Sequence, residues 1–196
     1  MECLHSSLVK KMGHIYLYTG TGAGKTTNAL GLALRSIGHK QKVVIIQFMK
    51  YWKNIGEYKI RNKLKPYYEI YQFGRPGWLK VDGKNEIRYR GMKFKVRSVE
   101  ELDKELARKA LKFAEEKMLK EKPHLLVLDE INLAVHLGLL KVEEVLQFLE
   151  KIPKRTQVVL TGRYAPKELI ERADFVNEII EVKYPKEFVT TKGIQY

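Results

Sequence analysis

The sequence predicts an α/β domain built on a mainly parallel central sheet. Apolar runs of strand length alternate along the chain with amphipathic stretches of helical length, which is the order typical of βαβ units. The runs Val43–Phe48 and Leu125–Leu128 are almost continuously apolar, as expected of strands that helices cover on both faces. With 196 residues, the chain is long enough for one domain with a core of its own.

The first part of the chain predicts a strand, a glycine-rich turn and a helix. The strand covers Ile15–Tyr18. The helix covers Lys25–Ile37 and is followed by Gly38 in the C-cap position that glycine favours. Two more strands are predicted at Val43–Phe48 and Tyr68–Phe73, where apolar and aromatic residues dominate.

The stretch from residue 74 to residue 97 shows no clear strand or helix pattern. It contains four glycines and Pro76 among many charged residues. Loops of this length inside a compact domain usually serve function or motion. We therefore expect a mobile loop here.

The second part of the chain begins with a long helix. Ser98 and Glu101 have the spacing of a capping box, and apolar residues then recur at helical spacing as far as Lys120. Pro123 ends this helix. The remaining predicted elements are a strand at Leu125–Leu128, a helix at Val142–Leu149, a strand at Gln157–Leu160, a helix at Pro166–Ala173, a strand at Phe175–Val182 and an irregular tail at residues 184–196.

Composition narrows the possible classes of protein. A single cysteine, Cys3, excludes a disulfide framework and a cysteine-rich metal site. No apolar run is long enough to span a bilayer. Lys10, Lys11 and His14 interrupt the N-terminal stretch where a signal peptide would need its apolar core. We therefore expect a cytoplasmic protein without a membrane partner.

The net charge of +14 is concentrated in one segment of the chain. Between Lys40 and Arg97 there are 16 Lys and Arg residues against 4 Asp and Glu residues. Such a segment suits an anionic partner, which could be a polyphosphate, a nucleic acid or a membrane surface. A solvated lysine-rich surface, as in many heat-adapted proteins, explains it equally well. Composition leaves both interpretations open.

The strongest motif is the glycine-rich turn at Thr19–Thr27, which reads TGTGAGKTT. Its glycines allow backbone N–H groups to point inward at a phosphate, and the following helix directs its positive end to the same place. Lys25 adds a positive charge, and the Thr26 hydroxyl can ligate Mg²⁺. The usual phosphate loop has glycine where this chain has Thr19, so the loop is a variant. Because strand, turn, lysine, hydroxyl and helix all agree, we favour a phosphate loop over an ordinary glycine turn.

A second motif is the apolar strand that ends in Asp129 and Glu130. In phosphate-loop proteins an acidic residue in this place helps to hold Mg²⁺. Any strand can end in acids at an exposed edge, but the phosphate loop makes the functional interpretation the better one. His136 follows soon afterwards, and we interpret it as a structural histidine on a helix more readily than as a ligand.

Several further segments, added to these motifs, resemble one family, the ATP:corrinoid adenosyltransferases of the phosphate-loop type. The segments that match are the loop at 19–27 with Arg35 and Gly38, Val44–Lys50, Gly56-Glu57, Phe73-Gly74, Gly77-Trp78, Leu128–Asn132, Thr161–Arg163 and Lys192–Tyr196. The resemblance covers nearly the whole chain. Glycines at alternate positions of the loop are themselves typical of the family, so Thr19 supports the resemblance.

The resemblance implies a RecA-like phosphate-loop fold, a homodimer and an enzyme of cobalamin synthesis or salvage. The implied reaction moves the 5′-deoxyadenosyl group of ATP, bound with Mg²⁺ or Mn²⁺, to Co(I) of a corrinoid and releases triphosphate. Cob(I)alamin and cob(I)yrinic acid a,c-diamide are both possible acceptors. A reductase or a flavodoxin-type protein could supply the electrons. Cobalt(I) is itself a strong nucleophile, so the implied chemistry needs no general base.

The resemblance also assigns roles to individual residues. Lys25, Thr26 and Glu130 are the implied catalytic residues, with Glu130 favoured over Asp129 as the Mg²⁺ ligand beside Thr26. The implied ATP-binding residues are Gly20, Thr21, Gly22, Ala23, Gly24, Lys25, Thr26, Thr27, Arg35 and Arg163. Phe73 and Trp78 match the aromatic stretch that contacts the corrin, where apolar rings would exclude an axial ligand of cobalt. Core packing explains these two rings as well.

Two features depart from the family pattern. Relatives often have a lysine where this chain has Ala23, so one charged contact with phosphate is missing. The arm before the first strand, residues 1–13, is also shorter than the arm that covers the corrinoid in relatives. The resemblance places the predicted mobile loop, residues 74–97, near the corrinoid.

Two other functions remain open from the residues alone. A small-molecule kinase with the same loop would transfer the γ-phosphate and produce ADP. A nucleic-acid-binding ATPase would use the basic segment, where aromatic side chains could stack on bases. Those aromatic residues are Tyr51, Trp52, Tyr67, Tyr68 and Tyr71. Packing within the sheet explains Tyr68 and Tyr71 equally well, so we regard a nucleic-acid partner as the weaker hypothesis.

Overall fold

A computed structural model describes residues 13–81, 83, 85–89, 92–183, 185 and 191–194 of the chain. The strands in these residues are β1 (Ile15–Thr19), β2 (Val43–Phe48), β3 (Tyr68–Phe73), β4 (Trp78–Leu79), β5 (Glu86–Tyr89), β6 (Met92–Arg97), β7 (Leu125–Asp129), β8 (Gln157–Thr161) and β9 (Phe175–Glu178). Six of them form the central sheet in the order β3-β2-β7-β8-β1-β9, and every neighbouring pair is parallel. The predicted α/β phosphate-loop domain with a parallel sheet is confirmed.

Helices cover both faces of this sheet. They are α1 (Lys25–Gly38), α2 (Gly56–Lys59), α3 (Glu101–Glu121), α4 (Ile131–His136), α5 (Val142–Leu149) and α6 (Lys167–Arg172), with a short 3-10 turn at Ile60–Asn62. Alternate residues of β2 serve the two faces. Val43 and Ile45 pack on the side of α1, whereas Val44, Ile46 and Phe48 pack on the side of α3 and α5. This double burial explains why β2 and β7 are almost continuously apolar.

The predicted loop at residues 74–97 contains secondary structure. β4, β5 and β6 form a small three-stranded sheet, in which β5 and β6 are antiparallel and β4 is parallel to β6. The sequence Met92–Arg97 does alternate apolar and basic residues, which is the period of a strand. The surrounding glycines and charges obscure this alternation in the sequence, and the prediction of an irregular loop was wrong. Whether the segment is mobile stays a prediction.

Two other predicted boundaries were wrong. The N-cap of the long helix is Glu100 and not Ser98, because β6 continues to Arg97 and the chain needs residues 98–100 to turn. Its capping box pairs Glu100 with Asp103, whose carboxylate accepts the Glu100 N–H at 3.0 Å. The last strand ends at Glu178 and not at Val182.

The predicted N-terminal arm, residues 1–13, lies outside the described residues except for Gly13. Only 185 and 191–194 of the predicted tail are described. Across the described helices, none is both long enough and apolar enough to span a membrane.

Candidate active site

The candidate site lies where the parallel strands β1, β2, β7 and β8 end. Parallel strands bring their carboxyl ends to one edge of the sheet, which is where ligands bind in open α/β folds. Gln47 of β2 lies beside Asp129 of β7, and Thr161 of β8 lies beside Tyr18 of β1. The phosphate loop follows β1 directly and starts α1 at this edge.

The glycines of the loop have two different functions. Gly24 is the N-cap of α1 and has a φ of 113°, a backbone conformation that favours glycine. Gly20 and Gly22 instead allow a close approach by the chain that follows β9. A Cβ on Gly20 would lie 2.3 Å from the Ile179 carbonyl oxygen, and one on Gly22 would lie 2.8 Å from the Ile180 carbonyl carbon. The alternate glycines therefore make room for a neighbouring segment of the protein.

Three other predicted loop residues are open to solvent, while one predicted donor is already used. The side chains of Thr21, Ala23 and Thr27 are exposed. The N–H of Gly22 donates to the Ile179 carbonyl at 2.8 Å, so this donor is already used within the protein. We keep the contact between Gly22 and phosphate only as a prediction.

Lys25 is buried at the centre of the loop, where its Nζ donates to the Gly22 carbonyl. Burial lowers the pKa of Lys25, and the charge of Arg163 lowers it further, while Glu130 and Glu181 oppose the shift. Lys25, Arg163 and Glu130 therefore lie close enough to influence one another. The structure brings these three predicted site residues together.

Asp129 is fully buried and accepts four hydrogen bonds from side chains. Thr26 (2.8 Å) and Thr161 (2.7 Å) donate to Oδ1, while Gln47 (3.0 Å) and Lys50 (2.7 Å) donate to Oδ2. Burial alone would raise the pKa of Asp129, but the Lys50 charge and the hydrogen bonds from Lys50, Thr161 and Thr26 together hold the pKa below its ordinary value. Asp129 is therefore an ion-paired carboxylate that fixes Thr26.

Glu130 differs from Asp129 in its surroundings. Its backbone is left-handed (φ 67°), and its N–H donates to the Thr161 hydroxyl at 3.0 Å. Burial raises the pKa of its carboxyl, and the neighbouring Asp129 carboxylate raises it further. A nearby cation therefore stabilises the ionised form of Glu130 more than that of Asp129, because Asp129 is already paired with Lys50.

The residues present fit a Mg²⁺ ion better than a transition metal. Mg²⁺ prefers oxygen ligands and is usually held by one or two protein groups together with substrate phosphates. Thr26 and Glu130 supply such oxygens beside the phosphate loop, and the hydrogen bond to Asp129 fixes Thr26. Among the described residues, no group of three or more His, Cys, Asp or Glu side chains could hold a metal ion.

The two predicted arginines lie in different places. Arg163 follows β8 directly, and its charge acts on Lys25 and Glu130. Arg35 lies in the last turn of α1, ten residues after Lys25 and therefore about 15 Å farther along the helix axis. Its charge acts on Tyr18 at the end of β1, and its contact with polyphosphate stays a prediction.

Three residues that contact Asp129 were not predicted as site residues. Gln47 and Lys50 follow the apolar part of β2, and Thr161 ends β8. All three occur in the segments that carry the family resemblance, but their residue types alone did not indicate a function. Polar residues at the carboxyl end of an apolar strand were the signal that could have identified Gln47 and Thr161.

The two predicted aromatic residues also differ. Phe73 is partly buried and packs against the core, with its ring 5.4 Å from that of Phe113 on α3. Trp78 is 40% exposed and meets Trp52 edge to face, with ring centroids 5.3 Å apart. The geometry therefore favours core packing for Phe73. It also identifies Trp52, which was not predicted as a site residue, as the neighbour of Trp78.

A chain of hydrogen bonds connects the tryptophan pair to the phosphate loop. The Gln72 amide nitrogen donates to the Trp52 carbonyl (3.1 Å) and to Gln47 Oε1 (2.9 Å). The Gln47 amide in turn donates to Asp129, which accepts from Thr26. A continuous run of hydrogen bonds thus links the Trp52 backbone to Thr26 in the loop.

A cavity of about 650 Å³ opens beside the loop. Its polar lining includes Thr26, Thr27, Lys50 and Glu57. Its remaining walls come mainly from the apolar side of α1 and from α2, and residues 193–194 close part of it. A cavity of this size can hold a small organic molecule or a large part of one.

His136 lies at the end of α4, where its ring stacks on that of Tyr164 with centroids 4.4 Å apart. This contact agrees with the interpretation of His136 as a structural residue.

Comparison with known proteins gives one consistent result. The family model described as "ATP:corrinoid adenosyltransferase BtuR/CobO/CobP" matches residues 11–196. The chain is 34% identical over 173 residues to a corrinoid adenosyltransferase of Escherichia coli K12, a match that covers 88% of this chain and 79% of the relative. A corrinoid adenosyltransferase of a Sinorhizobium species is 32% identical over 189 residues, covering 94% and 79%. Corrinoid adenosyltransferase CobA of Salmonella typhimurium LT2 is 30% identical over 176 residues, covering 89% and 80%.

Proposed function

The chain belongs to the ATP:corrinoid adenosyltransferase family, and we propose that it transfers the 5′-deoxyadenosyl group of ATP to Co(I) of a corrinoid, releasing triphosphate. The observation that carries this proposal is the hydrogen-bonded connection from Thr26 through Asp129, Gln47 and Gln72 to Trp52. It joins a polyphosphate site to an aromatic surface, and the reaction needs both in one place.

The loop residues bind and orient the triphosphate part of ATP. Lys25 supplies a positive charge at the start of α1, where the helix dipole also favours an anion. Thr26 and Glu130 would hold Mg²⁺, which would neutralise negative charge on the leaving triphosphate. Arg163 lies close enough to Lys25 and Glu130 to add a further positive charge.

The chemical step requires no proton transfer by the protein. The Co(I) electron pair forms a bond to the 5′ carbon while the bond from that carbon to the triphosphate oxygen breaks, and the oxygen keeps the electron pair. Asp129 suits this scheme because its charge is neutralised by Lys50 and its lone pairs are occupied. The protein's task is therefore to place two substrates and to balance charge.

Trp78 and Trp52 offer the corrinoid an aromatic surface at the same edge of the sheet. An apolar surface against one corrin face would exclude water from the axial position of cobalt, which favours Co(I). The small sheet β4-β5-β6 carries Trp78, so this sheet is part of the proposed corrinoid site.

A nucleic-acid function loses two of the five aromatic residues that the basic segment was expected to offer. Tyr68 is buried, and the Tyr71 ring packs on Phe113 at 4.7 Å. Neither ring is free to stack on a base. Part of the basic charge is also neutralised within the protein, because Arg75 and Arg97 pair with Asp103.

The wider setting follows from the same proposal. We expect a cytoplasmic homodimer that receives its electrons from a reductase or flavodoxin-type protein. Analytical ultracentrifugation of the purified protein would show whether it is a dimer.

The decisive experiment is an anaerobic incubation of the protein with MgATP and chemically reduced cob(I)alamin or cob(I)yrinic acid a,c-diamide. We expect a light-sensitive adenosylcorrinoid and one equivalent of triphosphate. ADP without any alkylated corrinoid would contradict the proposal and indicate a phosphoryl-transfer enzyme. Omitting Mg²⁺ and then adding Mg²⁺ or Mn²⁺ would test the metal requirement.

A further inference from the structure

Asp103 joins the two ends of the small sheet to the start of α3. Arg75 precedes β4 and donates to the Asp103 carboxylate through Nε and Nη2, both at 2.9 Å. Arg97, the last residue of β6, donates to the same two oxygens through Nη1 and Nη2. The Glu100 N–H adds a fifth hydrogen bond at 3.0 Å. One carboxylate thus binds residues at both ends of the chain segment that contains β4, β5 and β6.

This arrangement is rigid for a physical reason. Two planar guanidinium groups that each form paired hydrogen bonds with one carboxylate leave little freedom in the position of either arginine. Asp103 is also largely buried, with 7% of its surface exposed, so water competes weakly for its oxygens. The second contact of Arg75, to Glu100 at 2.8 Å, balances the charge of the cluster.

The cluster of Asp103, Arg75 and Arg97 contacts β4, the strand that contains Trp78, through Arg97. Trp78 pairs with Val96 in the parallel ladder, and the Lys80 N–H donates to the Arg97 carbonyl at 2.8 Å. The Arg97 side chain passes so close to Gly77 that a Cβ there would lie 2.8 Å from Nε. Arg97 also donates to the Pro76 carbonyl at 3.3 Å. The residues before and after Trp78 are therefore held by Arg97, and Arg97 is held by Asp103.

We infer that Asp103 is a positioning residue for the corrinoid: through Arg75 and Arg97 it sets Trp78 against Trp52 at the edge of the substrate site. The inference rests on the proposed function, because it assigns the tryptophan pair to the corrinoid. It concerns the small sheet and predicts at most a small effect on the loop with Lys25 and Thr26, because that loop follows β1, which β2, β7 and β8 separate from β3 in the central sheet.

Tryptophan fluorescence tests the positioning directly, because Trp52 and Trp78 are the only two tryptophans in the chain. In Asp103→Asn we expect a red-shifted emission and stronger acrylamide quenching than in the wild type. Glu115→Gln is the matched control, since it removes another acid of α3, paired with Lys151 at 2.8 Å, away from both tryptophans. This control should leave the fluorescence unchanged. Unchanged fluorescence in a folded Asp103→Asn protein would overturn the inference, whatever reaction the enzyme catalyses.

Kinetics give the second readout. We expect Asp103→Asn to raise the KM for the corrinoid between about tenfold and one hundredfold, because small displacements of positioning groups have effects of this size. The KM for ATP should change less than about twofold, since the loop keeps its contacts. Equal effects on both substrates would show a general structural role and would overturn the inference.

A double-mutant cycle with Trp78→Ala separates action through Trp78 from a direct effect. If Asp103 acts through this ring, Asp103→Asn should add little to the rise in corrinoid KM that Trp78→Ala causes. Fully additive effects would overturn the inference.

Should Asp103→Asn fold poorly, a second variant tests the same cluster. Arg75→Lys keeps the charge but loses the paired hydrogen bonds, and it should show the same pattern more weakly. A wild-type protein that makes no adenosylcorrinoid would refute the proposed function, while the fluorescence result would still decide the positioning.

Discussion

The most constrained residue of the site is Asp129. Its four hydrogen bonds come from Thr26, Gln47, Lys50 and Thr161, so α1, β2 and β8 are all tied to the end of β7. A buried carboxylate with this many donors stays ionised and holds its neighbours in place. Because Asp129 is occupied in this way, Glu130 is left as the carboxylate that can respond to a bound cation.

The ion pair between Lys50 and Asp129 leads to a prediction about stability. Lys50→Met should lower the free energy of unfolding by about 3 kcal/mol, because it leaves the charge of the fully buried Asp129 carboxylate uncompensated. Urea unfolding at neutral pH would measure this loss. Lys151→Met is the control, since it removes a more exposed pair with Glu115 and should cost less than about 1 kcal/mol. Equal losses in the two variants would contradict the burial argument.

A second prediction at this scale concerns Lys25. Lys25→Ala should lower kcat by at least about one hundredfold, because a preorganised positive charge near the leaving group stabilises the transition state. The melting temperature should hardly change, since burial already disfavours the charge that the substitution removes. Steady-state assay of adenosylcorrinoid formation together with a thermal melt would measure both. A variant with near wild-type kcat would show that the loop does not bind the reacting triphosphate.

At the scale of elements, the phosphate loop depends on the chain after β9. The Ile179 N–H donates to the Thr19 carbonyl at 2.9 Å, and the Ile179 carbonyl accepts the Gly22 N–H at 2.8 Å. These two bonds extend the pairing of β9 with β1 into the loop. The backbone at residues 179–180 therefore forms part of the wall that gives the loop its shape.

This contact predicts opposite effects for two glycine substitutions. Gly22→Ala should destabilise the protein by about 1–3 kcal/mol, because the new Cβ meets backbone atoms that cannot move freely. Gly31→Ala should stabilise it by about 0.5–1 kcal/mol, because Gly31 lies inside α1 and a Cβ there meets nothing within 4 Å. Chemical denaturation of both variants would decide. A neutral Gly22→Ala would mean that residues 179–180 do not press on the loop.

At the scale of the whole molecule, charged side chains hold the sheet at the edge opposite the site. Glu69 of β3 pairs with Lys42 before β2 at 2.8 Å and with Lys117 of α3 at 2.7 Å. Glu121 contacts both lysines as well. Burial would raise the pKa of Glu69, but the hydrogen bonds from Lys117, Lys42 and Tyr71 outweigh it and lower the pKa to about 2.

This depressed pKa predicts how stability depends on pH. In the unfolded chain Glu69 titrates near its ordinary value of 4.5, so its contribution to stability is complete above that pH. The contribution should decline as the pH falls toward 2, where the folded protein also takes up the proton. Glu69→Gln should therefore cost on the order of 2 kcal/mol at pH 7 and much less at pH 2.5. Urea unfolding of both proteins across this range would measure the difference, and a difference independent of pH would contradict the assignment.

The sequence by itself determined the parallel α/β class, the strands β2 and β3 to the residue, the glycine-rich turn between β1 and α1 and the acidic end of β7. These features depend on local periodicity and on glycine, lysine and hydroxyl residues at short spacing, so neighbours in sequence carry the whole signal. Only the tertiary structure decided that Lys50 neutralises Asp129, that Phe73 packs against the core and that Trp52 lies beside Trp78. It also showed that Arg75 and Arg97 share Asp103 and that residues 179–180 press on Gly20 and Gly22. Most of these contacts join residues far apart in the chain, and even Arg97 and Asp103, six residues apart, meet only because β6 and α3 are folded. Their energies arise from burial and geometry that no local pattern encodes.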